Sequence, residues 1–207
     1  MPEEIIEHYK QFLATHEWLA WGSFGWTVYR ADGAVPDIDG LAQVLSVSDE
    51  ADIEEMAVAE EPLQAPGRVV FFEKLNDGYF LIESEESYVS ENAILKSLSV
   101  GGRVCNISWN AGYHSRLAYA EDGEILLRWL NVQSGEFPRP GITHPIDEEI
   151  SQVEEVCQRE GREFGFADLM AVMELAVDVR LPNNWADGVH PCLVIRDPLP
   201  SVGWPYG

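Results

Sequence analysis

Compact turn signals in the middle of the chain limit its fold more than any other feature. Asn76-Asp77-Gly78, Asn110-Ala111-Gly112 and Asp122-Gly123 each separate two short runs rich in β-branched and aromatic residues. Turns this short leave no room for a crossover connection, so the flanking strands must run antiparallel. The spacing predicts strands at Val69–Leu75, Tyr79–Glu83, Arg103–Trp109, His114–Ala120 and Glu124–Leu130. Phe24 to Arg30 adds another, with Phe24, Trp26 and Val28 alternating against Gly25, Thr27 and Tyr29. The expectation is an α+β fold with a mainly antiparallel sheet of about six strands.

Helical spacing brackets this β-rich middle. Ile5, Ile6, Tyr9, Phe12 and Leu13 share one face of a helix over 3–16, with Pro2, Glu3 and Glu4 suited to its first turn. Ile150, Val153, Val156 and Cys157 mark a second helix over 147–160, and Leu169, Met170, Val172 and Met173 a third over 166–179. The N-terminal helix and the two C-terminal helices are expected to pack on the sheet. Shorter helices are predicted from Asp37 or Asp39 to Val44 or Leu45, and over Ser90–Leu98 with Ser90 as the cap. Residues 48–61 read as an acidic loop or solvated helix face. Residues 1–207 read as a single domain, in which 181–207 forms a proline-rich C-terminal wrap held by Trp185 and Trp204, with a strand at Cys192–Ile195.

From Trp18 to about Trp185 the order of signals resembles an uncharacterised, mainly actinobacterial family known only as a domain of unknown function. The likeness lies in Gly25-Trp26-Thr27-Val28 followed by Leu41 to Leu45, in Gly78-Tyr79-Phe80-Leu81-Ile82-Glu83, and in Leu98-Ser99-Val100-Gly101-Gly102. It continues through Asn106 to Gly112, Tyr119 to Glu124 and the helix from Ala167 to Leu181. The chain departs from the family pattern at Asn76-Asp77, around Pro138-Arg139-Pro140 and in its long tail. The resemblance implies one α+β domain and brings neither an activity nor catalytic residues.

Charge narrows the function classes. Acids outnumber bases 36 to 13, and the formal net charge is −23. Such a surface repels nucleic-acid phosphates and anionic headgroups, and it accelerates encounter with a basic protein. Solubility alone also accounts for acidity of this kind. Cys105, Cys157 and Cys192 form an odd, scattered set without a CxxC pair, which fits reduced thiols and a cytoplasmic location. The acidic start of the chain is unlike a signal peptide, and no run is long enough to span a membrane.

Familiar chemistry lacks its motifs. There is no phosphate-loop, dinucleotide, HExxH or GxSxG pattern. His190 with Cys192 falls short of a zinc set, and Cys105 with His114 lacks the electropositive setting a thiolate needs. Glu73 and Glu83 lie on opposite arms of a hairpin and form the one carboxylate pair worth weighing. No catalytic, cofactor-binding or metal residue is assigned, and no cofactor is expected.

The leading expectation is a non-catalytic acidic protein that docks a basic protein partner. Immunity or antitoxin-like cover of a nuclease cleft is one form of it, and nucleic-acid mimicry another. Asp49, Glu50, Asp52, Glu54, Glu55, Glu60, Glu61, Glu85 and Glu86 are the candidate partner-binding residues. Asn106, Trp109, Asn110, His114 and Arg116 form the densest polar and aromatic cluster, the candidate pocket if the chain instead binds a small ligand. A scaffold with charge only for solubility and an enzyme with an unrecognised site are the other classes. Acids gathered on one face favour docking, and acids spread evenly favour solubility.

Overall fold

Phe24, Trp26 and Val28 point to one side of the first strand, Thr27 and Tyr29 point to the other, and all are buried. A strand with two buried sides needs a cover on each. The computed structural model, described over residues 1–46, 51–58, 68–84, 88–112, 114–132 and 143–196, shows how both are supplied.

The sheet has eight strands in the order β2-β8-β3-β4-β1-β5-β6-β7, and every pairing is antiparallel. The strands are β1 (Phe24–Ala31), β2 (Ala51–Ala57), β3 (Arg68–Leu75), β4 (Gly78–Glu83), β5 (Gly102–Trp109), β6 (Ser115–Glu121), β7 (Glu124–Leu130) and β8 (Val189–Ile195). The expectation of about six strands is therefore corrected by two. β2 lies where the acid run reads as a loop or helix face, and β8 lies in the proline-rich tail. β8 contains the strand expected at Cys192–Ile195, whereas β2 was obscured locally. Asp52, Ile53, Glu54 and Glu55 are all exposed, so β2 has no inward alternation to read. β8 carries Pro191, just ahead of Cys192–Ile195, the stretch flanked by β2 on one side and β3 on the other.

The helices are α1 (Pro2–Thr15), α2 (Glu17–Trp21), α3 (Ile38–Leu45), α4 (Asn92–Leu98), α5 (Asp147–Glu160) and α6 (Phe166–Val177). α1, α5 and α6 cover the face bearing Trp26, Phe80, Ile107, Leu117 and Val194. The other face is not bare. Tyr29, Leu81, Val104, Ala118 and Leu193 pack there under α3 and α4. The arrangement is thus three layers: the three helices expected to pack on the sheet cover one face, and the shorter α3 and α4 cover the other.

Local chemistry sets the ends of these elements. Asp37 caps α3, its carboxylate accepting the Gly40 N–H at 2.9 Å. Ser90 does not cap α4, because Glu91 occupies the cap position and Ser90 bonds Arg116 instead. Arg162 forks onto the buried Asp168 at 2.5 and 2.7 Å, while Asp168 also accepts the Gly165 N–H at the start of α6. The chain after α6 is pinned to α1: His8 meets the Leu181 carbonyl, and His16 the Asn183 carbonyl. Buried Trp185 then seats against Phe71, Phe80 and His190 before β8 begins.

Candidate functional site

Strand parity separates the residues expected to form a pocket. Trp109 lies on the α1/α5/α6 face, stacked on Phe166 at 4.5 Å, with its indole N–H donated to the Leu19 carbonyl. Asn106 and Arg116 occupy the opposite face, where Asn106 is opposite Thr27 and Arg116 is opposite Ser108. Asn110 serves the loop between β5 and β6, its side-chain oxygen accepting the N–H groups of Gly112 and His114 at 3.0 and 3.2 Å. His114 is exposed at the same end.

What the structure does assemble is a buried polar band on the α3/α4 face. Register places Glu83 opposite Gly25, Gly25 opposite Ser108, and Ser108 opposite Arg116, with Thr27 and Asn106 one step along. The Asn106 amide donates to Thr27 at 2.9 Å. Both oxygens of Glu83 accept backbone N–H groups, from Tyr88 and Val89, each at 2.9 Å. Arg116 donates to the Ser90 carbonyl at 2.6 Å and to its hydroxyl at 2.9 Å. Burial, seconded by the nearby Arg128 and opposed by Glu91, presses the Arg116 pKa down to about 10. These charges hold Tyr88, Val89 and Ser90, just ahead of α4, onto the sheet. Thr27 and Ser108 are members that sequence reasoning missed, and Glu83 and Ser90 were weighed only as half of a carboxylate pair and as a helix cap; polar residues at inward positions of strands buried on both sides were the available signal for Thr27, Ser108 and Glu83. Glu83 does not face Glu73, since Glu73 is exposed and pairs in register with Phe80.

Of the acids expected to meet a partner, Asp49, Glu50, Glu60, Glu61, Glu85 and Glu86 lie outside the described residues. Asp52, Glu54 and Glu55 project from β2, the last strand of the sheet on that side. They stand in one exposed run with Ile53, itself 53 % exposed. Arg196, just beyond β8, pairs with Asp52 at 2.6 Å. The opposite edge, β7, is approached by His144, whose ring nitrogen meets the Leu126 carbonyl at 3.0 Å.

Acids also stand elsewhere. Glu4 and Glu7 on α1, Asp39 on α3, Glu124 on β7 and Glu155 and Glu160 on α5 are exposed, so both helical layers and both sheet edges carry negative charge. Glu83, Asp168 and Glu174 are the acids fully buried among the described residues. Among those residues, no three His, Cys, Asp or Glu side chains converge to hold a metal ion, and no helix is long and apolar enough to cross a membrane. No family model, curated protein or solved structure matches the chain.

Proposed function

We propose that the protein is a non-catalytic acidic binding protein whose β2 edge receives an extended basic segment of a protein partner. The observation that carries this reading is the exposed run Asp52-Ile53-Glu54-Glu55 on the terminal strand of the sheet. A terminal strand offers backbone donors and acceptors for strand addition, and its side chains choose what is added. Acids on both flanks of β2 repel the same edge of a second copy, and they favour a strand bearing lysine or arginine. A net charge of −23 draws such a partner in and makes the encounter sensitive to salt. Immunity-like cover of a cationic cleft is the form of this activity that suits the charge best, and the cytoplasm is its proposed setting. The likeness to the uncharacterised bacterial family is kept as a likeness in the order of elements.

A second reading, charge for solubility alone, is favoured by the exposed acids on every layer. Capture from host lysate with a salt gradient separates the two, run in parallel with a D52S/E54S/E55S variant. Docking predicts a stoichiometric basic protein that elutes at raised salt and elutes earlier from the variant. No enriched protein at low salt, or identical elution from the variant, overturns docking at β2.

A further inference from the structure

A cavity of about 220 Å³ opens at one end of the sheet, beneath the start of α5 and the end of α6. Its walls include two arginines that sit directly opposite each other, Arg30 on β1 and Arg103 on β5. Like charges placed across a ladder repel. Arg30 is compensated by Asp77 and donates to the Val177 carbonyl at 2.8 Å. Arg103 is exposed, stands opposite Glu121 of β6 in the register, and makes no direct ion pair or hydrogen bond among the described residues. The α5 wall supplies the converse. Glu149 lines the same cavity, and its Oε2 is buried with no hydrogen-bond partner. An exposed guanidinium with no direct hydrogen bond and a buried carboxylate oxygen with none thus border one space, which Val28, Ile146 and Ala176 also line.

We propose that this cavity binds a small zwitterion of the α-amino acid class, its carboxylate on Arg103 and its ammonium on Glu149. The ligand's ammonium supplies the donor that the buried Glu149 oxygen lacks, where leaving a carboxylate oxygen unmet is costly, and its carboxylate meets the exposed Arg103 guanidinium. The volume is below the roughly 300 Å³ at which pockets for drug-sized molecules begin, so it suits a short aliphatic amino acid. Cys105, which also lines the cavity, is a wall and not a nucleophile. Burial first, and the Glu149 carboxylate second, push its thiol up to about 12.

Calorimetric titration of the full chain at neutral pH with the standard L-amino acids tests the site. At least one short aliphatic amino acid is expected to bind saturably with a Kd below about 1 mM. The matching amine without the carboxylate, and the matching acid without the amine, each bind at least about tenfold more weakly, a difference of about 1.4 kcal/mol. R103Q and E149Q each weaken binding by a similar factor while far-UV circular dichroism stays unchanged. Amide shifts of the wild-type protein, which need no variant, are expected at Arg103 to Cys105 and along the first turn of α5. No saturable binding in the millimolar range, equal binding of the single-ended analogues, undiminished binding by both variants, or shifts confined elsewhere would each overturn the proposal.

Discussion

Tyr9 shows how one side chain ties distant parts of the chain together. Its hydroxyl donates to Glu174 at 2.7 Å and accepts the Leu181 N–H at 3.3 Å, while Arg180 forks onto the same carboxylate at 2.7 and 2.9 Å. Tyr9→Phe keeps the ring and removes both bonds. It is expected to cost about 2 kcal/mol in a urea melt, the range for a bond to a charged group. Burial, reinforced by Glu174, raises the Tyr9 pKa well above its ordinary value, and Cys105 is raised to about 12. Both groups are neutral acids favoured in the fold. Their stabilisation is complete below the unfolded values, about 8.5 for cysteine and about 10 for tyrosine, and fades as pH climbs past them. Stability is therefore expected to fall on the alkaline side from about pH 9. Cys105 should stay unlabelled by thiol reagents until the chain unfolds; rapid labelling of the native protein at pH 8 would contradict this burial.

At the scale of elements, the glycines that open strands β4 and β5 matter more than their turns suggest. A Cβ at Gly78 would lie 1.8 Å from the Tyr29 carbonyl oxygen, and one at Gly102 would lie 2.2 Å from that of Arg30. Gly78→Ala is thus expected to force β1 and β4 apart, cost upwards of about 3 kcal/mol and leave little soluble protein. Asn76-Asp77-Gly78 was legible as a turn, yet its glycine serves close strand approach, which only the register of β1 against β4 reveals. Hairpin strands and amphipathic helices were legible because their patterns are local: Ile5, Ile6, Tyr9 and Phe12 are buried as their spacing implies. β8 was legible over Cys192–Ile195, but its place between β2 and β3, far away in sequence, was not. The pocket residues were misgrouped for a related reason. Trp109 and Asn106 are near in sequence, but a separation of three residues sends them to opposite faces. β2 stands at the margin of the sheet, so D52S/E54S/E55S is expected to change unfolding stability by less than about 0.5 kcal/mol. A larger loss in a denaturant melt would assign these acids a structural role.

At the scale of the molecule, the net charge of −23 acts on stability and on association in opposite senses. Exposed acids on both helical layers repel one another, and salt screens that repulsion. Raising sodium chloride to about 0.5 M is expected to raise the melting temperature at pH 7 by a few degrees while weakening any complex with a basic partner. A melting temperature that falls with salt would mean that attractive pairs dominate the surface. Docking at β2 makes a more specific demand, because strand addition covers backbone amides as well as carboxylates. The deciding measurement is amide hydrogen exchange across the chain, alone and with the basic protein that salt elutes from the capture. Strand addition predicts new protection within Ala51–Ala57, lost when salt dissociates the complex. Protection confined to α1, α5 or the α3/α4 layer, with β2 unchanged, would contradict the β2 edge as the docking surface.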